Sequence, residues 1–234
     1  MLGAGRRLNI AAMTLALLMA VIPPSWALSS KQEICDVDAD FALGREDYPA
    51  TIRLHLKVLQ ADNGNALAHY HLGFAYGMSG RIADEISEYL IAAKLGVVNW
   101  DLFLNLGLAY LGQSDWPHAI SALQIAVSHG LNHPEAPYNL AIAYEGDGRP
   151  QAALQAITAS LRLAPNDPAE LNEKAIICTE LGDFVCARDE WSHLVQSRPD
   201  YMPAAINLAI LTASHKSQPH DQLYGAQSIS SGSR

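Results

Sequence analysis

Small residues recur along this chain at a constant interval of 34 positions, and apolar residues surround each of them in a similar way. In the middle of the chain an aromatic residue stands three positions after the small one, as Tyr110 follows Gly107. The full series of small residues is Ala39, Gly73, Gly107, Ala141, Ala175 and Ala209. So regular a spacing predicts repeated units that share one local structure.

Each unit has the pattern of two helices joined by a turn. Residues 106–110 (LGLAY) place apolar side chains on one face of a helix with a 3.6-residue period. Glycines that mark a turn fall at one register, at Gly80, Gly148 and Gly182. A second helix is predicted over residues 116–128. Because one helix pair cannot bury its own apolar face, we predict an all-α chain in which neighbouring pairs stack.

This pattern resembles the tetratricopeptide repeat (TPR) family, which has a 34-residue period with Leu-Gly, Tyr, Ala and Pro positions. The best matches are Asn105, Leu106, Gly107, Tyr110, Ala119 and Ala126 in one unit and Asn139, Leu140, Ala141, Tyr144, Ala153 and Pro165 in the next. The resemblance covers about residues 32–213. It implies a right-handed α-solenoid of stacked antiparallel helix pairs.

The period also predicts the boundaries of the array, which we place at residues 28–213. The expected units are 32–65, 66–99, 100–133, 134–167 and 168–201, followed by a capping helix at 202–213. The first unit is degenerate, with Asp38 where Leu is expected, as is common for a terminal unit. The polar, Ser-rich residues 214–234 are expected to form a disordered tail.

The N-terminal segment, residues 1–27, has the pattern of a signal peptide. Arg6 and Arg7 precede an apolar run over residues 8–22, and a small-x-small site ends at Ala27. We therefore expect cleavage after Ala27 and export to the periplasm or the medium. The alternative is that the leader stays attached as a membrane anchor.

The charge balance narrows the range of partners. Lys and Arg total 15 against 24 Asp and Glu, giving a net charge of −9. Without a basic cluster, the chain is a poor binder of nucleic acid and of anionic lipid. A protein partner remains the best expectation.

By resemblance, the first helices of the pairs line a concave groove that binds a segment of a partner protein. The expected groove residues are Leu67, Tyr70, Phe74, Asp101, Leu104, Asn105, Leu108, Leu111, Tyr138, Asn139, Ile142, Asn172 and Ile176. Its middle is expected to be apolar and aromatic, flanked by carboxylates such as Glu135 and Glu145. The alternative is that Phe74, Leu104 and Leu108 pack between helices or are covered by a neighbouring copy.

The chain has three cysteines, and two of them lie symmetrically about Gly182. This places Cys178 and Cys186 opposite each other on antiparallel helices, so we expect a disulfide in an exported protein. The alternative is a pair of buried thiols. Cys35 is left over, and it is expected either to pack or to pair between two chains.

No motif for catalysis, a cofactor or a metal is evident. His69 and His71 point to different faces of a helix, and the alternating Asp36, Asp38 and Asp40 lack an EF-hand continuation. Lys174 replaces a leucine of the repeat and is expected to reach solvent or to pair with a carboxylate such as Glu170. We therefore expect a non-enzymatic protein without metal or cofactor.

Three hypotheses remain. The first is an exported adaptor whose groove binds a segment of a partner protein. The second is a scaffold that self-associates, one copy filling the groove of the next. The third is an enzyme, or the regulatory subunit of an envelope or secretion complex, which would need a polar constellation inside the groove.

Overall fold

The computed structural model of the protein describes residues 35–216, which form eleven α-helices and no strand. The predicted leader lies outside the described residues, as does the tail from residue 217 onward. The helices are α1 (Val37–Gly44), α2 (Tyr48–Ala61), α3 (Ala66–Met78), α4 (Ile82–Lys94), α5 (Trp100–Gly112), α6 (Trp116–His129), α7 (Glu135–Gly146), α8 (Pro150–Leu163), α9 (Pro168–Glu180), α10 (Phe184–Ser197) and α11 (Met202–Lys216).

The first ten helices form five consecutive pairs, and each predicted repeat unit contains one pair. Within a pair, α3 packs on α4, α5 on α6, α7 on α8 and α9 on α10. The first helices of neighbouring pairs also contact each other, as α5 contacts both α3 and α7. This arrangement confirms the predicted right-handed α-solenoid of stacked helix pairs.

Short polar side chains define where the helices begin. Asp or Asn side chains accept a hydrogen bond from a backbone N–H in the first turn of seven helices, and so satisfy a donor that has no partner within the helix. These N-caps are Asp36, Asp47, Asn65, Asn99, Asp115, Asp167 and Asp183.

The turn inside every pair has a residue in the left-handed region at the same register. Gly80, Gly148 and Gly182 have φ of +74°, +71° and +76°, as the turn pattern predicts. Glu46 and Ser114 occupy the equivalent turns with φ of +59° and +57°. The geometry of the turn is therefore common to all five pairs, although only three of them carry the residue that adopts it without strain.

The recurring small residue allows the two helices of a pair to approach closely. A Cβ added to Gly107 would lie 2.5 Å from Cγ of Leu123, and one added to Gly73 would lie 2.8 Å from the Tyr89 ring. Leu123 and Tyr89 are fully buried. A larger residue at either glycine would force the buried Leu123 or Tyr89 side chain to move.

The last helix covers the end of the array. Ala204 and Leu211 of α11 are buried against Leu171, Trp191 and Leu194 of the fifth pair. The helix ends at Lys216, so residues 214–216 belong to it and not to a disordered tail.

The opposite side of α11 is exposed. Met202, Ile206 and Ile210 stand four residues apart on it and are 60%, 53% and 51% exposed. Within the described range, no helix has the length and hydropathy needed to cross a bilayer.

A disulfide joins the two helices of the fifth pair. Cys178 on α9 and Cys186 on α10 have Cα atoms 6.0 Å apart, on either side of the turn at Gly182. Cys35 is a free, half-buried cysteine.

Candidate functional site

The predicted groove residues lie on the first helices α3, α5, α7 and α9, and none of them is fully exposed. Those buried by the packing of neighbouring units are Tyr70, Leu104, Leu111, Asn139 and Asn172. Those that remain half-buried are Leu67, Phe74, Asp101, Asn105, Leu108, Tyr138, Ile142 and Ile176. Only the second set has side-chain surface that a partner could contact.

Tyr70 is part of the interface between two units. Its hydroxyl donates a hydrogen bond to Oδ2 of Asp101 at 2.9 Å, joining α3 to α5. Burial, together with the negative charge of Asp101, raises the pKa of Tyr70 well above its usual value. Both groups therefore stabilise the stack of units, and the phenol stays protonated.

The expected asparagine amides are also used inside the array. Oδ1 of Asn172 accepts hydrogen bonds from Nε1 of Trp191 at 3.0 Å and from Nδ2 of Asn207 at 3.1 Å. Nδ2 of Asn139 donates to the backbone carbonyl of Glu135, 2.8 Å away. Oδ1 of Asn139 is buried and has no hydrogen-bond partner among the described residues.

One register of the first helices carries an apolar row. Phe74, Leu108, Ile142 and Ile176 occupy the same position in four successive units, one on each of α3, α5, α7 and α9. All four are half-buried, with part of each side chain accessible. The repeat thus places four apolar contact points in sequence along the array.

Carboxyl groups gather at the C-terminal half of this face. Burial and the adjacent Glu173 carboxyl raise the pKa of Glu145 above its usual range. Burial and Glu145 likewise raise the pKa of Glu180. A raised pKa means that these carboxyl groups resist ionisation. A cation placed among them would favour their ionised form, and another anion would disfavour it further.

Lys174 does not provide that cation. Its Nζ forms an ion pair with Oε1 of Glu190 on α10, instead of with the expected Glu170. Both side chains are about a quarter exposed or less, at 26% and 20%. This ion pair accounts for a lysine at a position where the repeat otherwise has leucine.

A polar cluster that the sequence did not reveal lies between the first two units. One donor atom from each of Cys35, Asp40, His55 and His71 lies within 4.8 Å of all the others. The two histidines are 16 positions apart and come together only when α2 packs on α3. Asp40 was expected on a solvated or capping face, and instead points into this cluster.

The charges of the cluster are tightly coupled. Burial opposes ionisation of Asp40, but hydrogen bonds from His55, His71 and Cys35 outweigh it and hold the pKa of Asp40 well below its usual range. Burial and the Asp40 carboxylate raise the pKa of the Cys35 thiol above its usual value. These contacts favour the anionic form of Asp40 and the thiol form of Cys35.

The fold and the regular repeat are similar to those of tetratricopeptide repeat proteins. Residues 104–168 match the family model described as Tetratricopeptide repeat. The solved structure of YrrB, described as a TPR protein with an unusual peptide-binding site, is 21% identical with a TM-score of 0.68. That match covers 71% of this chain and 86% of YrrB.

Two further solved structures align over similar lengths. MamA from Desulfovibrio magneticus RS-1 is 16% identical with a TM-score of 0.59, over 77% of this chain and 92% of that chain. The C-terminal part of a TPR repeat-containing protein from Cytophaga hutchinsonii is 14% identical with a TM-score of 0.67, over 76% and 70%. At this level of identity the likeness concerns the fold.

A curated relative is similar over a shorter part of its length. The transcription factor tau 131 kDa subunit of Saccharomyces cerevisiae is 25% identical over 139 residues, which is 59% of this chain. The match spans only 14% of that subunit.

Proposed function

We propose that this protein is an exported, non-enzymatic adaptor whose first-helix face binds a segment of a partner protein. The observation that carries the proposal is the apolar row Phe74, Leu108, Ile142 and Ile176. Aligned apolar side chains that keep accessible surface are typical anchors for a partner. A TPR fold supports protein binding in general, and the leader pattern of residues 1–27 supports export.

The partner segment that fits this face combines apolar side chains with Lys or Arg. The apolar row offers contacts for the former, while Glu145, Glu173 and Glu180 favour the latter. A free C-terminal carboxylate would add a further negative charge beside carboxyl groups that already resist ionisation. An internal, basic and apolar segment is therefore the expected ligand, bound in an extended or helical conformation.

A capture experiment with paired variants tests this proposal. The full chain is immobilised and incubated with an envelope extract of its own organism, beside a groove variant carrying Leu108→Ser and Ile142→Ser. The control variant carries Leu90→Ser and Ile125→Ser, the same residue types on the second helices α4 and α6, where they are 48% and 37% exposed. Circular dichroism must show equal helix content in all three proteins.

The adaptor proposal predicts a partner that binds wild type and control but binds the groove variant at least about 10-fold more weakly, since two anchors worth about 1 kcal/mol each are lost. Binding should also weaken as salt is raised, because the carboxylates contribute. Equal capture by the groove variant and the control would contradict the proposed face.

Self-association is a second candidate function, favoured by the exposed row Met202, Ile206 and Ile210 on α11. Three apolar side chains at four-residue intervals form one stripe of the helix, which a second copy could cover. Light scattering of the full chain should then give a mass that rises with concentration, and Ile206→Glu should keep the chain monomeric. A constant monomer mass would exclude this function.

A further inference from the structure

We propose that Cys35, Asp40, His55 and His71 form a binding site for one divalent transition-metal ion of the Zn²⁺ type. The four residues come from four places in the chain. Cys35 shortly precedes α1, Asp40 lies on α1, His55 on α2 and His71 on α3. An ion bound there would join the first helix pair to the first helix of the second pair.

The distances between donor atoms fit a tetrahedral ion. Oδ1 of Asp40 lies 2.9 Å from Nδ1 of His71, 3.4 Å from Nε2 of His55 and 3.1 Å from Sγ of Cys35. Nδ1 of His71 lies 3.3 Å from Nε2 of His55 and 3.7 Å from Sγ of Cys35. A tetrahedral Zn²⁺ with bonds of about 2.0–2.3 Å places its ligands about 3.3–3.7 Å apart, so these five distances need changes of a few tenths of an ångström. The sixth, from Sγ of Cys35 to Nε2 of His55, is within 4.8 Å and would have to shorten by up to about 1 Å.

Neighbouring groups already orient two of the donors. Nδ1 of His55 lies 2.9 Å from the backbone carbonyl of Thr51. Because a carbonyl only accepts, Nδ1 carries a proton, and Nε2, which faces the cluster, offers its lone pair to an ion once the ring is neutral. Oδ2 of Asp40 accepts a hydrogen bond from the Cys35 backbone N–H at 2.9 Å, which turns Oδ1 toward the other donors. Outer contacts of this kind are typical of metal ligands.

The cluster also departs from the repeat at positions that are otherwise apolar. Asp40 stands at the register of the apolar row, one repeat before Phe74. His55 is fully buried and stands at the register of the buried Tyr89, Leu123, Ile157 and Trp191. Polar groups in such places cost stability unless they are satisfied. A bound ion would explain why polar residues replace apolar ones here. No other helix pair among the described residues carries such a group of possible metal ligands.

The donor set indicates the class of ion. A thiolate, a carboxylate and two imidazoles suit Zn²⁺ and its neighbours better than Mg²⁺ or Ca²⁺, which prefer oxygen ligands. On binding, the Cys35 thiol releases its proton to solvent, and the thiolate and the Asp40 carboxylate together balance the two positive charges. With four protein ligands the site is closed, so its role is structural, as a cross-link of α1, α2 and α3.

Spectroscopic titration of the full chain with Co²⁺ tests the site directly. The protein is prepared with Cys35 reduced and with the Cys178–Cys186 disulfide intact. We expect one Co²⁺ per chain, a thiolate-to-cobalt charge-transfer band and the intense visible bands of tetrahedral Co²⁺. Addition of Zn²⁺ should remove these bands. Spectra without the thiolate band, or the absence of binding, would overturn the proposal.

Matched variants show whether these four residues are the ligands. Cys35→Ser and His71→Gln should each weaken Zn²⁺ binding at least about 100-fold in competition with a chromophoric chelator, since loss of an outer-shell contact alone costs about 10–100-fold. The control His118→Gln removes an exposed imidazole beside Asp115 and should bind as wild type does. Equal Zn²⁺ affinity in all variants would mean an adventitious ion at the surface.

A measurement on the unmodified chain covers the case in which a variant fails to fold. Zn²⁺ should protect Cys35 from alkylation, and a chelator should restore its reactivity. Zn²⁺ should also raise the midpoint of thermal unfolding, because an ion that binds only the folded chain stabilises that chain. If the Cys35 thiol reacts equally fast with and without Zn²⁺, the four residues are a hydrogen-bonded network and not a metal site.

Discussion

Ser114 adopts nearly the same backbone conformation as Gly80, one repeat earlier, with φ of +57° against +74°. The two residues occupy the same position in the turns of successive helix pairs. A residue with a Cβ pays about 1–2 kcal/mol for the left-handed region, whereas glycine does not. The packing of the pairs therefore imposes the turn on a serine that does not favour it.

Replacing Ser114 by glycine should consequently stabilise the protein. We expect Ser114→Gly to raise the free energy of unfolding by about 1 kcal/mol, measured by urea denaturation. The same change at Ser121, which is exposed inside α6, should lower it by about 0.5–1 kcal/mol because glycine weakens a helix interior. The prediction fails if both substitutions shift stability in the same direction.

The close approach of α5 and α6 gives a second prediction. Gly107→Ala should destabilise the protein by about 1–3 kcal/mol, because the new methyl group would overlap the buried Leu123 side chain. Gly112→Ala, further along α5, meets nothing within 4 Å and should be neutral or stabilising by up to about 1 kcal/mol. Denaturant midpoints of the two variants provide the comparison, and equal midpoints would argue against the tight contact.

The buried Glu85 should make stability depend on pH. Burial raises the pKa of Glu85 to about 7 from a usual 4.5, so the folded chain holds this proton more tightly than the unfolded chain. The contribution of Glu85 to the free energy of unfolding is most favourable below pH 4.5. It is lost as the pH rises from there through 7.

Glu85→Gln should accordingly be more stable than wild type at pH 8 by about 1–3 kcal/mol, and the difference should vanish near pH 4. Denaturation curves of both proteins at the two pH values give the test. A difference that does not change with pH would show that the carboxyl is not the cause.

The Cys178–Cys186 disulfide should contribute about 2–3 kcal/mol for the short loop it closes. Replacing both cysteines by alanine should lower the free energy of unfolding by that amount. Wild type treated with a reductant should then resemble the double variant. Alkylation of the unreduced, denatured chain should label one thiol, that of Cys35, and labelling of three would show that the bond does not form.

The sequence predicted the fold because the signals for a helix pair are local and recur in each unit. Small residues such as Gly107 and the turn glycines at 80, 148 and 182 mark the same features along the array. The turn at Ser114 has no such local signal, because the contacts of the surrounding helices determine it. The helix α11 was predicted, but its last three residues were not.

The candidate site was predicted less well, because contacts between units decide which residues are accessible. Sequence spacing identifies the face of Tyr70 and Leu104 but does not show that the next unit buries them. It also could not show that His55 meets His71, since that contact needs α2 and α3 in place. A useful signal was present at Asp40, where a carboxylate interrupts an otherwise apolar register.

Helices in this array make their stronger contacts with helices one or two places away along the chain. Such a structure closes few long loops as it forms, which favours rapid folding, and it unravels most readily from its ends, where each unit has one neighbour instead of two. The disulfide lies in the last helix pair, and the cluster around His55 joins the first pair to the second. The covalent bond and the polar cluster thus sit near the two places where fraying begins.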